Sequence, residues 1–169
     1  MKTEAQYIEF VNSLHDTVYR LARSIITSDA EAEDIVQDVF ERVWRARDAV
    51  LQSQYPRAYV CRMVHNLAID RQRARQRAQS FVGTEGYPPI ADGDSETSTK
   101  DMAALTRMLI AQLPEKQRLA IHMRDVEGYE MDEIASLLES DETSVRVNIS
   151  RARKSIREQL IKMMNYGVK

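Results

Sequence analysis

The chain has a single cysteine, Cys61, among 169 residues. One thiol excludes an internal disulfide and fits a reducing compartment. Glycine is scarce at five, proline at four, and aromatic residues make up 7%. His15, His65 and His122 lie far apart with no cysteine cluster beside them, so no metal site is expected. Asp34 and Asp38 sit one helical turn apart, but no histidine accompanies them. There is no Gly-rich phosphate loop, no nucleophile and base signature, and no metal-ligand spacing. No catalytic set, cofactor or small-molecule substrate is therefore expected, and the chain does not read as an enzyme. No run approaches the roughly 18 apolar residues of a membrane helix, so direct membrane insertion is not expected. Residues 1–15 lack the basic start and apolar block of a secretory leader. A cytoplasmic location is the expectation.

What the chain does have is charge, sorted along its length. The overall balance is 24 basic against 26 acidic side chains, a formal net charge of −2. Residues 1–56 hold 6 basic and 10 acidic groups, whereas 57–77 hold 6 and 1. Residues 78–101 hold 1 and 5, residues 102–142 hold 4 and 9, and 143–169 hold 7 and 1. Two basic blocks thus stand in an acidic frame. Basic blocks suit phosphate, and acidic surfaces suit a basic partner.

Residues 78–100 hold three of the five glycines and two of the four prolines, among Ser, Thr and acids. Such a stretch buries too little apolar surface to offset ordering entropy, and it reads as a flexible linker. On either side the spacing is helical, and no strand-like alternation occurs. The expected fold is all-α, two small helical domains over 1–77 and 101–169 joined by the linker over 78–100.

In the first part, Val11, Leu14, Val18, Leu21 and Ile25 form an apolar stripe. Ser28 or Asp29 is placed to cap a second helix with an acid-rich first turn. Along it, Val36, Val39, Phe40, Val43 and Trp44 share one face, and Asp34, Gln37, Asp38, Glu41 and Arg45 another. Pro56 opens a third helix, with Val60, Met63, Val64 and Leu67 expected inward and Arg62, Asn66, Asp70, Arg73 and Arg77 outward. After the linker, Ala104, Leu105, Met108 and Leu109 open a new apolar pattern. Pro114 begins the next helix and Gly128 is placed to stop it.

The segment 129–157 carries the strongest signal. A short helix with a small Ala135, a tight turn around 139–141 and a long basic helix make the layout of a helix-turn-helix. Asp141 is placed to cap the second helix. That helix can enter the major groove, with Thr143, Ser144, Arg146 and Val147 reaching base edges. Ser150, Arg151, Arg153, Lys154 and Arg157 can hold phosphates. The alternative is a solvated basic helix end, but no acid interrupts the cations between 143 and 157. The 57–77 helix is a second, weaker signal: its arginines can track a backbone, Asn66 can bond a base, and Tyr55 and Tyr59 can stack on unpaired bases. The acidic face at 29–41 reads equally as a solvated helix surface, with Asp38 and Glu41 pairing one turn on with Arg42 and Arg45. A stand-alone helix-turn-helix regulator and a small protein-binding adaptor also fit these features.

Three stretches, "DAEAEDIVQDVFERVW", "YPRAYVCRMVHNLAIDRQRARQR" and "LPEKQRLAIHMRDVEGYEMDEIASLLESDETSVRVNISRARKSI", together resemble the extracytoplasmic function (ECF) sigma factors of bacteria. The similarity covers about residues 7 to 162, with the motifs in the family's order. The resemblance implies sigma region 2 before the linker and region 4 after it, and transcription initiation at chosen promoters as the function. The helix over 34–44 would dock on the β′ clamp helices of core RNA polymerase through Asp34, Gln37, Asp38, Glu41 and Trp44. Arg62, Asn66, Asp70, Arg71 and Arg73 would help melt and hold the minus-ten element, and the loop over 48–55 would capture a flipped base. Thr143, Ser144, Arg146, Val147, Ser150, Arg151, Arg153 and Lys154 would read the minus-thirty-five element. Leu109, Leu113, Leu119 and Met123 would offer an apolar cradle to the β flap, and an anti-sigma protein would be a further partner. The chain departs from the family pattern in its turn, with Glu139 at the usual glycine and Ser140 at a usual apolar position. Thr143 and Asn148 replace a usual glycine and arginine.

Overall fold

The stripe of Leu14, Val18 and Leu21 lies on α1 (Lys2–Arg23), where all three are at most 1% exposed. In this computed structural model, which describes residues 2–80 and 98–166, the chain divides into two compact units, Met1–Asp92 and Gly93–Lys169. All regular elements among the described residues are helical. The flexible linker expected over 78–100 falls mostly outside the described residues, and the helices on either side of it extend to Ser80 and from Ser98.

In the first unit, α2 (Asp29–Arg45) starts as its sequence directs. The Ser28 side chain accepts a hydrogen bond from the Glu31 backbone N–H, and Asp29 and Glu31 sit in the positive first turn. Ala32, Ile35, Val36, Val39 and Val43 are buried. Trp44 is not part of that buried face. It is 37% exposed at the helix end, edge-on to the Tyr7 ring at 4.8 Å.

A short helix, α3 (Arg47–Gln52), occupies much of the stretch expected to be a loop over 48–55. It is anchored by Val50, 1% exposed. The expectation of an open base-capturing loop over that whole stretch is therefore corrected: only its end, from Ser53, leaves the helix.

Helix α4 (Pro56–Ser80) begins at the proline. Its buried residues are Ala58, Val60, Cys61, Val64, His65, Ala68 and Ile69. Met63 and Leu67, expected inward, are only half-buried. Since α4 packs on α1, α2 and α3, a broad sector is covered, centred on small side chains that allow close approach.

In the second unit, α5 (Ser98–Ala111) and α6 (Glu115–Ile121) pack on the long α8 (Glu142–Tyr166). Leu109, Leu113, Ile121, Ala152 and Ile156 form one buried cluster, edged by Leu105, Ile110 and Leu160. This overturns the apolar cradle expected for the β flap. Leu109, Leu113, Leu119 and Met123 are at most 6% exposed and belong to the interior. The reason lies on α8, whose stripe of Val145, Ile149, Ala152 and Ile156 must itself be covered.

The helix that starts after Pro114 does not stay α-helical. From His122 to Val126 it widens into a π-helical turn, with the Glu127 N–H donating to the His122 carbonyl at 3.1 Å. Gly128, at φ +72°, then reverses the chain, and the Tyr129 N–H closes onto the Met123 carbonyl at 2.9 Å. The stop expected at Gly128 is in place.

Candidate nucleic-acid interface

The helix-turn-helix is built from α7 (Met131–Leu137) and α8. A capping box starts α7: the Glu130 side chain accepts from the N–H of Glu133, and the Glu133 carboxylate accepts from the N–H of Glu130. Ala135, 7% exposed, is a small buried residue of α7, which packs on α8. The turn closes through two backbone bonds, Ser140 N–H to the Ala135 carbonyl at 2.9 Å and Glu139 N–H to the Ser136 carbonyl at 3.2 Å.

Glu139 has φ +52°, and it alone among the described non-glycine residues has a positive φ. The left-handed region costs an L-residue energy that glycine avoids. Glu139, at the position where the resemblance implies a glycine, is thus held in a glycine-like conformation. Glu139→Gly is expected to stabilise the chain by about 0.5–1 kcal/mol. A urea titration checks this, and an unchanged or lowered midpoint would contradict it. Beside it, the Ser140 hydroxyl is buried and has no protein hydrogen-bond partner among the described residues.

Asp141 caps α8, its Oδ1 accepting the Ser144 N–H at 2.7 Å. That bond, the first of several backbone and side-chain bonds from 143 and 144, holds the carboxyl below its ordinary value of 3.8. A depressed folded value contributes stability above the unfolded pKa and loses it as pH falls through the folded one. Asn also caps helices but does not titrate. The urea midpoint of Asp141→Asn is therefore expected to fall less than that of the native chain between neutral pH and about pH 3. Parallel curves would contradict this.

With Val145, Ile149 and Ala152 turned inward, α8 presents Thr143, Arg146, Val147, Ser150, Arg151, Arg153 and Lys154 to solvent. Ser144 is half-buried at the cap. Several of the cations already have partners. Arg146 reaches back one turn to Glu142 at 3.1 Å, and Lys154 lies 4.0 Å from Glu158. Arg153 is held by both oxygens of Asp125, at 2.6 and 3.1 Å, and this raises its pKa. It therefore acts first as a strut between α8 and the π-helical turn. Arg151 and Arg157 make no ion pair among the described residues. Asn148 donates to the Ser144 carbonyl at 2.9 Å and so folds back on its own helix.

In the first unit, Asn66, Asp70 and Arg73 are exposed on α4, and Asp34, Gln37 and Glu41 on α2. Arg62 is half-buried, its guanidinium 5.7 Å above the ring of Tyr59, which is 38% exposed. The Trp44 ring is covered on one side by the Arg47 guanidinium at 4.4 Å. Glu41 pairs with Arg45 as its spacing directs. Asp38 does not pair with Arg42. Its carboxylate binds Arg71 of α4 at 2.5 Å, and Glu31 binds Arg75 at 3.3 Å. Neither cross-helix pair was legible in the sequence, because the partners stand 33 and 44 residues apart. No group of three or more metal-ligating side chains occurs among the described residues. No described helix is long and apolar enough to cross a membrane.

The chain matches two family models: Sigma-70 region 2 over residues 10–78 and Sigma-70 region 4 over residues 103–156. It is 31% identical over 161 residues to the ECF RNA polymerase sigma factor SigE of Mycolicibacterium smegmatis, covering 91% of this chain and 61% of that relative. It is 28% identical over 155 residues to the RNA polymerase sigma-E factor of Streptomyces avermitilis, covering 92% and 85%. SigW of Bacillus subtilis is 26% identical over 165 residues, with 91% and 88% covered. Among solved structures, the fold resembles the sigma factor RpoE in complex with the anti-sigma factor NepR from Bartonella quintana, with TM-score 0.67, 21% identity, and 90% and 96% of the chains covered. CnrH, solved with the cytosolic domain of CnrY, gives TM-score 0.67, 21% identity, and 94% and 90% covered. The two matched regions together with these relatives place the chain in the sigma-70 family, as an ECF-type sigma factor, the class that binds core RNA polymerase and directs promoter-specific transcription initiation.

Proposed function

We propose that residues 1–77 bind the polymerase clamp and the minus-ten element, that 78–100 tether the two units, and that 101–169 read the minus-thirty-five element. The observation that carries this reading is the solvent face of α8. Behind a capped turn, it offers Thr143, Arg146 and Val147 first and Ser150 and Arg151 next. That order suits a helix whose N-terminal end reads base edges while its middle holds phosphates. On α2, the exposed Asp34, Gln37 and Glu41, with Asp38 and Trp44 beside them, suit a basic partner surface such as the β′ clamp helices. On α4, Asn66, Asp70 and Arg73 face solvent, with Arg62 and Arg71 half-buried next to them, and they suit a single strand of the minus-ten element.

The chain supplies no chemistry in this reading. It lends specificity to a polymerase that carries out the reaction in the cytoplasm. The β flap remains a partner of the second unit, but through surface residues rather than the buried leucines. The similar fold of RpoE, solved in complex with the anti-sigma factor NepR, supports a regulator of that kind here.

Two DNA contacts on one tether act together, each raising the effective concentration of the other. The acidic α2 face and the paired cations weaken each contact alone, since affinity for DNA depends on phosphate neutralisation. The test is fluorescence anisotropy on labelled promoter DNA at physiological salt. Tight binding is expected with core polymerase and not without it. Nanomolar binding by the free chain, as a dimer on a palindromic duplex, would replace this reading with that of a stand-alone regulator.

A further inference from the structure

Ion pairs join the helix whose face is assigned to polymerase to the helix whose stripe is assigned to DNA. Asp38 of α2 and Arg71 of α4 are 2.5 Å apart, with side chains 46% and 32% exposed. Glu31 and Arg75 repeat the contact at 3.3 Å, with side chains 44% and 50% exposed. As numbers rise on α2 they fall on α4, so the two helices run antiparallel where these pairs form a ladder.

A phosphate approaching Arg71 meets a guanidinium already neutralised by a carboxylate, and the same carboxylate repels it. A cation approaching Asp38 meets the converse. Half-exposed pairs of this kind are weak, so either member can leave for a better partner. Because both competitors act on one pair, whatever takes Asp38 must strengthen the hold of Arg71 on phosphate, and the reverse follows by linkage.

We propose that Asp38 and Arg71, with Glu31 and Arg75 as a second rung, form an exchange contact. In the free chain it masks the strand-binding arginines, and docking of a basic partner on α2 releases them. Arg75 thereby joins the residues that position the strand, Glu31 joins the docking face, and Asp38 has a role in DNA affinity as well as in docking. The proposal rests on the assignment of α2 to polymerase and α4 to the single strand.

The experiment is a double-mutant cycle on the full-length free chain, binding a short labelled single-stranded DNA across a salt series. The variants are Asp38→Asn, Arg71→Gln and both together, with Glu33→Gln as a control that removes one acid from α2 outside the ladder. Circular dichroism melts establish that each variant is folded. Asp38→Asn is expected to tighten binding about 2- to 5-fold. It should also steepen the salt dependence by about 0.7, one released phosphate contact on a single strand. Arg71→Gln should abolish that gain, and Glu33→Gln should not reproduce it. An equal gain in the presence and absence of Arg71 would mean a general charge effect and would overturn the exchange. No gain from Asp38→Asn, with clear weakening by Arg71→Gln, would overturn the exchange but leave the strand assignment standing. If neither substitution changes binding, the strand assignment of Arg71 falls as well.

Discussion

Leu109→Ala is expected to lower the stability of the chain by about 3 kcal/mol, within the roughly 2–5 kcal/mol range for emptying a buried leucine site. Leu109 is 1% exposed and sits in the cluster with Leu113, Ile121, Ala152 and Ile156. Its loss uncovers the stripe that holds α8 in place. A unit spanning Gly93–Lys169 has a total stability of roughly 4–11 kcal/mol, so this one change removes a large part of it. Urea unfolding followed by far-ultraviolet circular dichroism measures the loss. By contrast Met102, 47% exposed on α5, should tolerate alanine within about 0.5 kcal/mol. The comparison decides what the leucine is for. Were Leu109 a surface contact for the polymerase, its alanine variant would unfold normally and lose only binding.

Arg146→Ala is expected to cost about 1–3 kcal/mol in promoter affinity, concentrated at one base pair, so that specificity relaxes at that position. Arg146 stands one turn into α8, exposed, with Glu142 orienting it from the preceding turn. Arg151→Ala should act differently. It carries no ion pair among the described residues, so its charge is available, and its loss should weaken all sequences alike. The slope of log affinity against log salt should fall by about 0.9. Arg153→Ala should change that slope less, because Asp125 already neutralises it, and should instead loosen α8 from the π-helical turn. Holoenzyme binding to promoter variants across a salt series measures all three. Equal weakening by Arg146→Ala on every sequence would remove it from base readout.

These effects show which features were legible in the residues. The long helices were, because apolar side chains recur at helical spacing and their caps stand in place. Ser28, Pro56, Gly128 and Asp141 each do what their chemistry directs. α3 was not, because one anchored residue, Val50, gives no period. The π-helical turn was not, since a shift of one hydrogen-bond register leaves no mark in composition. On α4, hydrophobicity alone favoured Met63 and Leu67, but close packing against α1, α2 and α3 selected Cys61, His65 and Ala68. The apolar stripe of α5 and α6 was ambiguous between a core and a docking groove, and the matching stripe on α8 decided it. The candidate DNA residues on α8 were legible as a surface. Which of their charges are already spent was not, because Asp125 pairs with Arg153 over 28 residues of chain. The same holds for Asp38 and Arg71.

The most direct test of the central claim is run-off transcription with purified bacterial core polymerase on a library of genomic promoters, with and without this chain. Specific transcripts should appear only when the chain is present. They should vanish when Asp34 and Asp38 are both replaced by alanine, although the variant remains folded. A chain that binds promoter DNA alone, yet yields no transcript with its matched core enzyme, would contradict the account.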